Sequence, residues 1–135
     1  VILKVVEKQG VIMTEIVHKE LSYKIIGIAM EVHKILGGGF LEKVYENSMM
    51  LLFEENNLNA KNQVKIDVFF KNKVVGDYVA DILVDDKIIL ELKTVEKISD
   101  IHRAQLFNYL KATNKKLGII INFKNKKLEY ERIVL

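Results

Sequence analysis

The apolar positions change period partway along the chain. After Ser22, a residue suited to capping a helix N-terminus, Ile25, Ile26, Ala29, Met30, His33 and Leu36 follow at helical spacing. The glycines at 37–39 end that helix, because glycine accepts the left-handed cap. A second helical stretch runs from Leu41 to Asn56 and breaks at "NNLN". The period then drops to two in "VKIDVFF" (64–70), "VVGDYVADILV" (74–84) and "KIILELK" (87–93), with "KNK" and "DDK" as turns. Ser99 or Asp100 caps a third helix, Ile101 to Thr113. "LGIIINF" reads as a buried strand and "LEYERIVL" as a last one. The predicted order is α, α, β, β, β, α, β, β. The strand–helix–strand unit across 87–122 predicts a right-handed crossover between parallel strands. A mixed sheet of that kind needs helices over its faces.

Composition narrows this little. The chain has 135 residues, half of them apolar, which suits one packed domain. Residues 1–12 precede "MTEIVHKELSYK" and read as an extension that adds an edge strand, leaving 13–135 as the single domain. The formal charge of +3 tolerates a polyanion without demanding one. Without cysteine there is neither a disulfide nor a thiolate metal site. No apolar run is long enough for a bilayer, and the first residues lack the order of a secretory leader. The expectation is a cytoplasmic protein with no membrane contact.

The chemistry concentrates in "YVADILVDDKIILELKT" (78–94), where Asp81, Glu91 and Lys93 interrupt apolar strands. By parity, Tyr78, Ala80, Ile82 and Val84 share one face, as do Ile88, Leu90 and Leu92. For both sets to enter one core, even positions must pair with even ones. That requires an odd loop, Asp85-Asp86-Lys87, or a bulge. Asp81 then lies roughly opposite Glu91, on the face that also carries Lys93. Two carboxylates about 5 Å apart repel by about 3 kcal/mol at an effective dielectric near 20. Either a cross-strand salt-bridge cluster around Lys93 or a bound divalent cation offsets this. Oxygen donors suit magnesium or manganese rather than zinc.

Asp81 with Glu91-Leu92-Lys93 resembles the PD-(D/E)XK nuclease signature. Gly39, Glu42 and Tyr45 in "GFLEKVYE" have the spacing that names the GxxExxY proteins, a group assigned to that superfamily. "EVHKILGGGFLEKVYE", "GDYVADILVDDKIILELKTVEKI" and "HRAQLFNYLKAT" all look like that group, so the resemblance covers residues 20–135. Two departures, Gly38 for a proline and "VAD" for "PD", remove no ligand. The resemblance implies an α/β (α+β mixed-sheet), restriction-endonuclease-like αβββαβ core with an extra N-terminal helix and a C-terminal strand. It implies Mg²⁺ or Mn²⁺ on Asp81, Glu91 and the Leu92 carbonyl, with Glu42 as an additional or water-mediated ligand. Lys93 would orient or help deprotonate the attacking water. Gln105 and Tyr109 resemble the Q-x-x-x-Y element of the exonuclease branch. The implied activity is Mg²⁺-dependent hydrolysis of nucleic acid, DNA ahead of RNA. The alternative is a catalytically silent nuclease-fold module that binds nucleic acid or a protein partner.

The residues also have plainer readings. A carboxylate in a first helical turn, as at Glu42, is favoured by the helix dipole alone. Gly39 ends a loop, and Tyr45 reads as a packed ring with its hydroxyl satisfied. His33 reads as a satisfied structural histidine beside the glycine loop. In the third helix Ile101, Ala104, Phe107 and Leu110 or Lys111 track one face. His102, Gln105 and Tyr109 make a polar stripe beside it. Lys111, Lys115 and Lys116, with lysines 124, 126 and 127, could contact phosphates or simply blunt a sheet edge. The strand "YERIVL" could pair between subunits of a homodimer.

Overall fold

A computed structural model describes residues 2–8 and 11–135, with side chains from Ile16 onward. The order of elements is β1 (Ile2–Lys8), β2 (Val11–Ile16), α1 (Lys19–Leu36), α2 (Glu42–Glu55), β3 (Ala60–Phe70) and β4 (Lys73–Val84). Then follow β5 (Ile88–Lys93), α3 (Asp100–Thr113), β6 (Leu117–Asn122) and β7 (Glu129–Val134). β1 and β2 form a separate antiparallel hairpin, so the N-terminal strand does not extend the main sheet as expected. Residues 1, 9 and 10 of the expected extension lie outside the described residues.

The main sheet has the order β3-β4-β5-β6-β7. β5 and β6 are parallel, with Leu90 beside Ile119, and the other pairs are antiparallel. β5 and β6 are central and covered on both faces, which is why they read as unbroken apolar runs. α1 and α2 cover one face through Ile25, Ala29, Val32, Met49 and Phe53, packed on Ile82, Val84, Leu90, Leu92 and Ile119. α3 covers the other through Leu106, Tyr109 and Leu110, packed on Ile89 and Ile120. β3 and β7 are the edges. Among the described residues, no helix is long and apolar enough to cross a membrane.

The turn between β4 and β5 is the odd, three-residue one that parity demanded. Val84 pairs with Ile88, and Asp85 and Asp86 both take left-handed backbone (φ 55° each). Lys71 and Asn72 (φ 50° and 63°) close the β3–β4 hairpin at Phe70 and Lys73.

Three local expectations fail. His18, in left-handed backbone, is the α1 N-cap; Ser22 is buried inside the helix, where its Oγ accepts from Arg132 Nε at 2.8 Å. Met30 is about half exposed, and Ile28 and Val32 are buried in its place. On α3 the inward face is Leu106, Tyr109 and Leu110; Ile101 is 80% exposed and Ala104 and Phe107 face outward.

β4 also departs from simple alternation. Ile82 and Val84 face the α1–α2 layer as predicted, but Ala80 packs in the α3 cluster and Tyr78 lies 5.5 Å from the Tyr109 ring. The strand changes face at Asp81.

Candidate active site

β5 ends its hydrogen-bonded pairing with β4 at Ile82 and Leu90. Beyond that point side chains replace the ladder. Asp81 Oδ2 accepts the Leu92 N–H at 2.7 Å, and Glu91 Oε1 accepts the Asp81 N–H at 3.3 Å. The face change at Asp81 explains this geometry. Between a residue that points to one layer and a residue that points to the other, the side chain leaves in the plane of the sheet. Asp81 is therefore not simply across from Glu91 on a shared face, as parity alone predicts. Its carboxylate nonetheless meets the strand that carries Glu91 and Lys93.

Glu91 is 6% exposed, which is unusual for a carboxylate. Burial, and then the charge of Asp81, push its carboxyl up to about 8. Burial also raises Asp81, opposed by the Leu92 N–H and supported by the charges of Glu46 and Glu42. Lys93 is half-buried and close enough to act on both carboxyls, although it forms no ion pair among the described residues. Leu92 gives its N–H to the β4 side, and the carbonyl of a strand residue leaves on the same edge as its N–H.

Glu42 opens α2, is exposed, and acts on Asp81 and Glu91 only through its charge. Among the described residues no three His, Asp or Glu side chains stand close enough to hold a metal ion. Glu42 stands near enough for its charge to act on both carboxyls. The carboxylate pair suits a hard cation. Its donors are oxygens, and magnesium commonly takes one or two carboxylates and keeps its remaining positions for water and phosphate.

Gln105 and Tyr109 are joined to each other, Gln105 Nε2 donating to the Tyr109 hydroxyl at 2.9 Å. Tyr109 is buried rather than part of a solvated stripe, and its hydroxyl titrates above the usual range because of burial and then the charge of Glu91. His102 Nδ1 accepts the Ser99 N–H at 3.1 Å, so it caps α3.

The glycine motif does structural chemistry. Tyr45 is fully buried and stacks on Phe123 with ring centroids 4.4 Å apart. Its hydroxyl donates to the Gly37 carbonyl (2.6 Å) and accepts from Gly39 N (3.0 Å) and Phe40 N (3.2 Å). His33 Nε2 bonds the Asn125 carbonyl at 2.8 Å. Both residues thus tie the glycine loop to the end of β6. Close approach constrains Gly38 rather than Gly39. A Cβ on Gly38 would stand 2.1 Å from the Lys124 carbonyl oxygen, whereas one on Gly39 would meet nothing within 4 Å.

The lysines named from the sequence divide between the two ends of the sheet: Lys124, Lys126 and Lys127 follow Asn122, the partner of Lys93, whereas Lys111, Lys115 and Lys116 come before β6. β5 and β6 run parallel with Ile88 beside Leu117, so Lys115 and Lys116 precede the end of the sheet opposite Glu91 and Lys93. Lys115 pairs with Asp86 at 3.0 Å, and Lys111 lies over the Phe107 ring.

Glu46 escaped the reading of the sequence. It is 4% exposed, and both oxygens are occupied: Oε2 by Lys43 Nζ (2.6 Å) and Asn62 Nδ2 (3.0 Å), Oε1 by Gln63 Nε2 (2.6 Å). Burial raises its carboxyl, but these three donors together hold it below the usual range. Its signal was visible: Glu46 shares the buried face of α2 with Met49 and Phe53, where a charge needs partners.

A five-stranded mixed sheet flanked by helices, with a carboxylate pair from β4 and the central strand β5 bonded across their junction, defines a restriction-endonuclease-like fold. The chain belongs to the PD-(D/E)XK nuclease superfamily, whose family model matches residues 19–133. Among solved structures it is similar to one described as the crystal structure of SSO0001, with a TM-score of 0.54 and 21% identity. The match covers 87% of this chain and 57% of that one, and at this identity the likeness is one of fold. No curated protein matches the sequence.

Proposed function

We propose that the protein is a metal-dependent nuclease of the GxxExxY group that hydrolyses phosphodiester bonds, with Asp81, Glu91 and Lys93 as its catalytic residues. The observation that carries this reading is the carboxylate pair at the β4–β5 junction, Glu91 buried and Asp81 half-buried, each accepting a backbone N–H of the other strand. A buried acid whose carboxyl is pushed up to about 8 lacks the positive partner that would keep it ionised at neutral pH. Asp81, Glu91 and the Leu92 carbonyl would hold Mg²⁺ or Mn²⁺, with Glu42 lending charge from the start of α2. When bound, the ion supplies Lewis acidity to the phosphoryl group and lowers the pKa of water. The Lys93 ammonium balances negative charge that develops on the phosphate. Tyr109, held by Gln105, presents a hydroxyl close enough to feel the Glu91 charge.

The experiment is incubation with single- and double-stranded DNA and RNA in Mg²⁺ or Mn²⁺. Cleavage should vanish in Asp81→Ala and Lys93→Ala, and cleavage that survives both changes removes the reading. A second reading, a silent module that binds a partner, is favoured by the exposed apolar tip of the β3–β4 ribbon. There Phe69, Phe70, Val74 and Val75 lie largely in solvent. Calorimetric titration separates the two: a working site binds Mn²⁺ and loses it in Glu91→Ala, and a silent one takes up none.

A further inference from the structure

The face change that aims Asp81 has a visible fastening. Ala60, Ile82 and Val84 pack toward α1 and α2, whereas Ile66, Ala80 and Leu83 pack toward α3. Residues 80 and 83 cannot share a face in a regular strand, where successive side chains alternate. Both strands of the ribbon make the change together. Asn62 pairs with Ile82 and Val64 with Ala80, but the position between them, Gln63 opposite Asp81, is missing from the ladder. Gln63 is in left-handed backbone (φ 51°), a conformation that non-glycine residues keep only when their surroundings impose it. The Glu46 carboxylate accepts the side-chain amides of both Asn62 and Gln63 at this position.

We infer that Glu46 is a positioning residue for the site. By holding Asn62 and Gln63 it fixes the turn of the ribbon, and that turn delivers the Asp81 carboxylate to Leu92 and Glu91. The inference rests on the proposed metal site for its functional meaning, but the placement of Asp81 can be read without metal. Glu46 is not offered as a ligand, since its oxygens already accept three donors.

The test compares the wild type with Glu46→Gln, Gln63→Val and Gln63→Gly. In metal-free protein, amide hydrogen exchange is followed at Leu92, whose N–H is held by Asp81, and at Leu90 in the same strand as an internal reference. Global destabilisation speeds both amides; misplacement of Asp81 speeds Leu92 alone. Glu46→Gln and Gln63→Val should raise the Leu92-to-Leu90 exchange ratio by about tenfold, the scale of one lost charge-assisted bond. They should weaken Mn²⁺ binding, titrated separately, by about tenfold as well, the range seen when support for a metal ligand is removed. Gln63→Gly should leave both near wild type, because glycine takes the left-handed turn without the amide. An unchanged ratio in both Glu46→Gln and Gln63→Val overturns the inference. So does a Gln63→Gly protein as impaired as Gln63→Val. If the wild type binds no Mn²⁺, the nuclease reading falls, and the exchange ratio still decides whether Glu46 places Asp81.

Discussion

Replacing Glu91 by glutamine should stabilise the metal-free protein at alkaline pH. The carboxyl is raised from an ordinary 4.5 to about 8 by burial and then by Asp81. A raised carboxyl means that the folded state favours the protonated form. Its stabilising contribution is fully present below pH 4.5 and is lost as pH rises through about 8. At about 1.4 kcal/mol per pH unit between the two values, the upper bound is on the order of 5 kcal/mol. Coupling to Asp81 spreads part of this over both carboxyls, so a few kcal/mol is the expected scale. The substituted amide would keep an oxygen for the Asp81 N–H and remove the charge. The assay is urea unfolding in EDTA at intervals from pH 5 to pH 9, on both proteins. The wild type should lose stability relative to Glu91→Gln across this window. Glu46 and Glu131, both held below the usual range, act at more acidic pH. His18, pulled down by burial and then by Lys87, contributes equally to both proteins and cancels. A stability difference that stays constant from pH 5 to pH 9 would refute the reasoning.

Other expectations follow from the same geometry. In wild type at pH 8, Mg²⁺ or Mn²⁺ at about 100 times its dissociation constant should stabilise the fold by about 2.7 kcal/mol, and Asp81→Ala should abolish the effect in a thermal melt. Tyr45→Phe leaves the Gly37 carbonyl and the Gly39 and Phe40 N–H groups without their partner, which should cost about 1–3 kcal/mol in urea denaturation. Gly38→Ala, driven against the Lys124 carbonyl, should lower the urea midpoint sharply, whereas Gly39→Ala should shift stability by no more than about 0.5 kcal/mol. Lys93→Ala should abolish cleavage while leaving the unfolding midpoint close to wild type, as read by a nuclease assay beside circular dichroism.

Much of the architecture was legible because the central strands carry strong local signals. The apolar parity of Ile88, Leu90 and Leu92 against Ile82 and Val84 demanded an odd turn, and Val84 does pair with Ile88 across three residues. The β5–α3–β6 crossover was legible from two apolar runs flanking one helix. The face change at Asp81 was not, because it depends on a left-handed Gln63 held by a helix distant in sequence. No window of residues 60–84 contains Glu46. The same limit misplaced the α1 cap. Ser22 has the chemistry of an N-cap, but Arg132, brought in from the last strand, occupies its hydroxyl. On α3 the spacing through Ile101, Ala104, Phe107 and Leu110 or Lys111 missed Leu106 and Tyr109, which the packing buries beside Leu110.

The placing of β5 between β4 and β6 has a consequence for synthesis. β3 and β4 can zip together as soon as both leave the ribosome, since a two-residue turn joins them. β5 then has one neighbour and must wait for β6, which arrives only after α3 has been made. A nascent or proteolysed chain that stops before Leu117 therefore carries every acidic and basic group of the site with nothing to seal the strand they stand on, and should be inert.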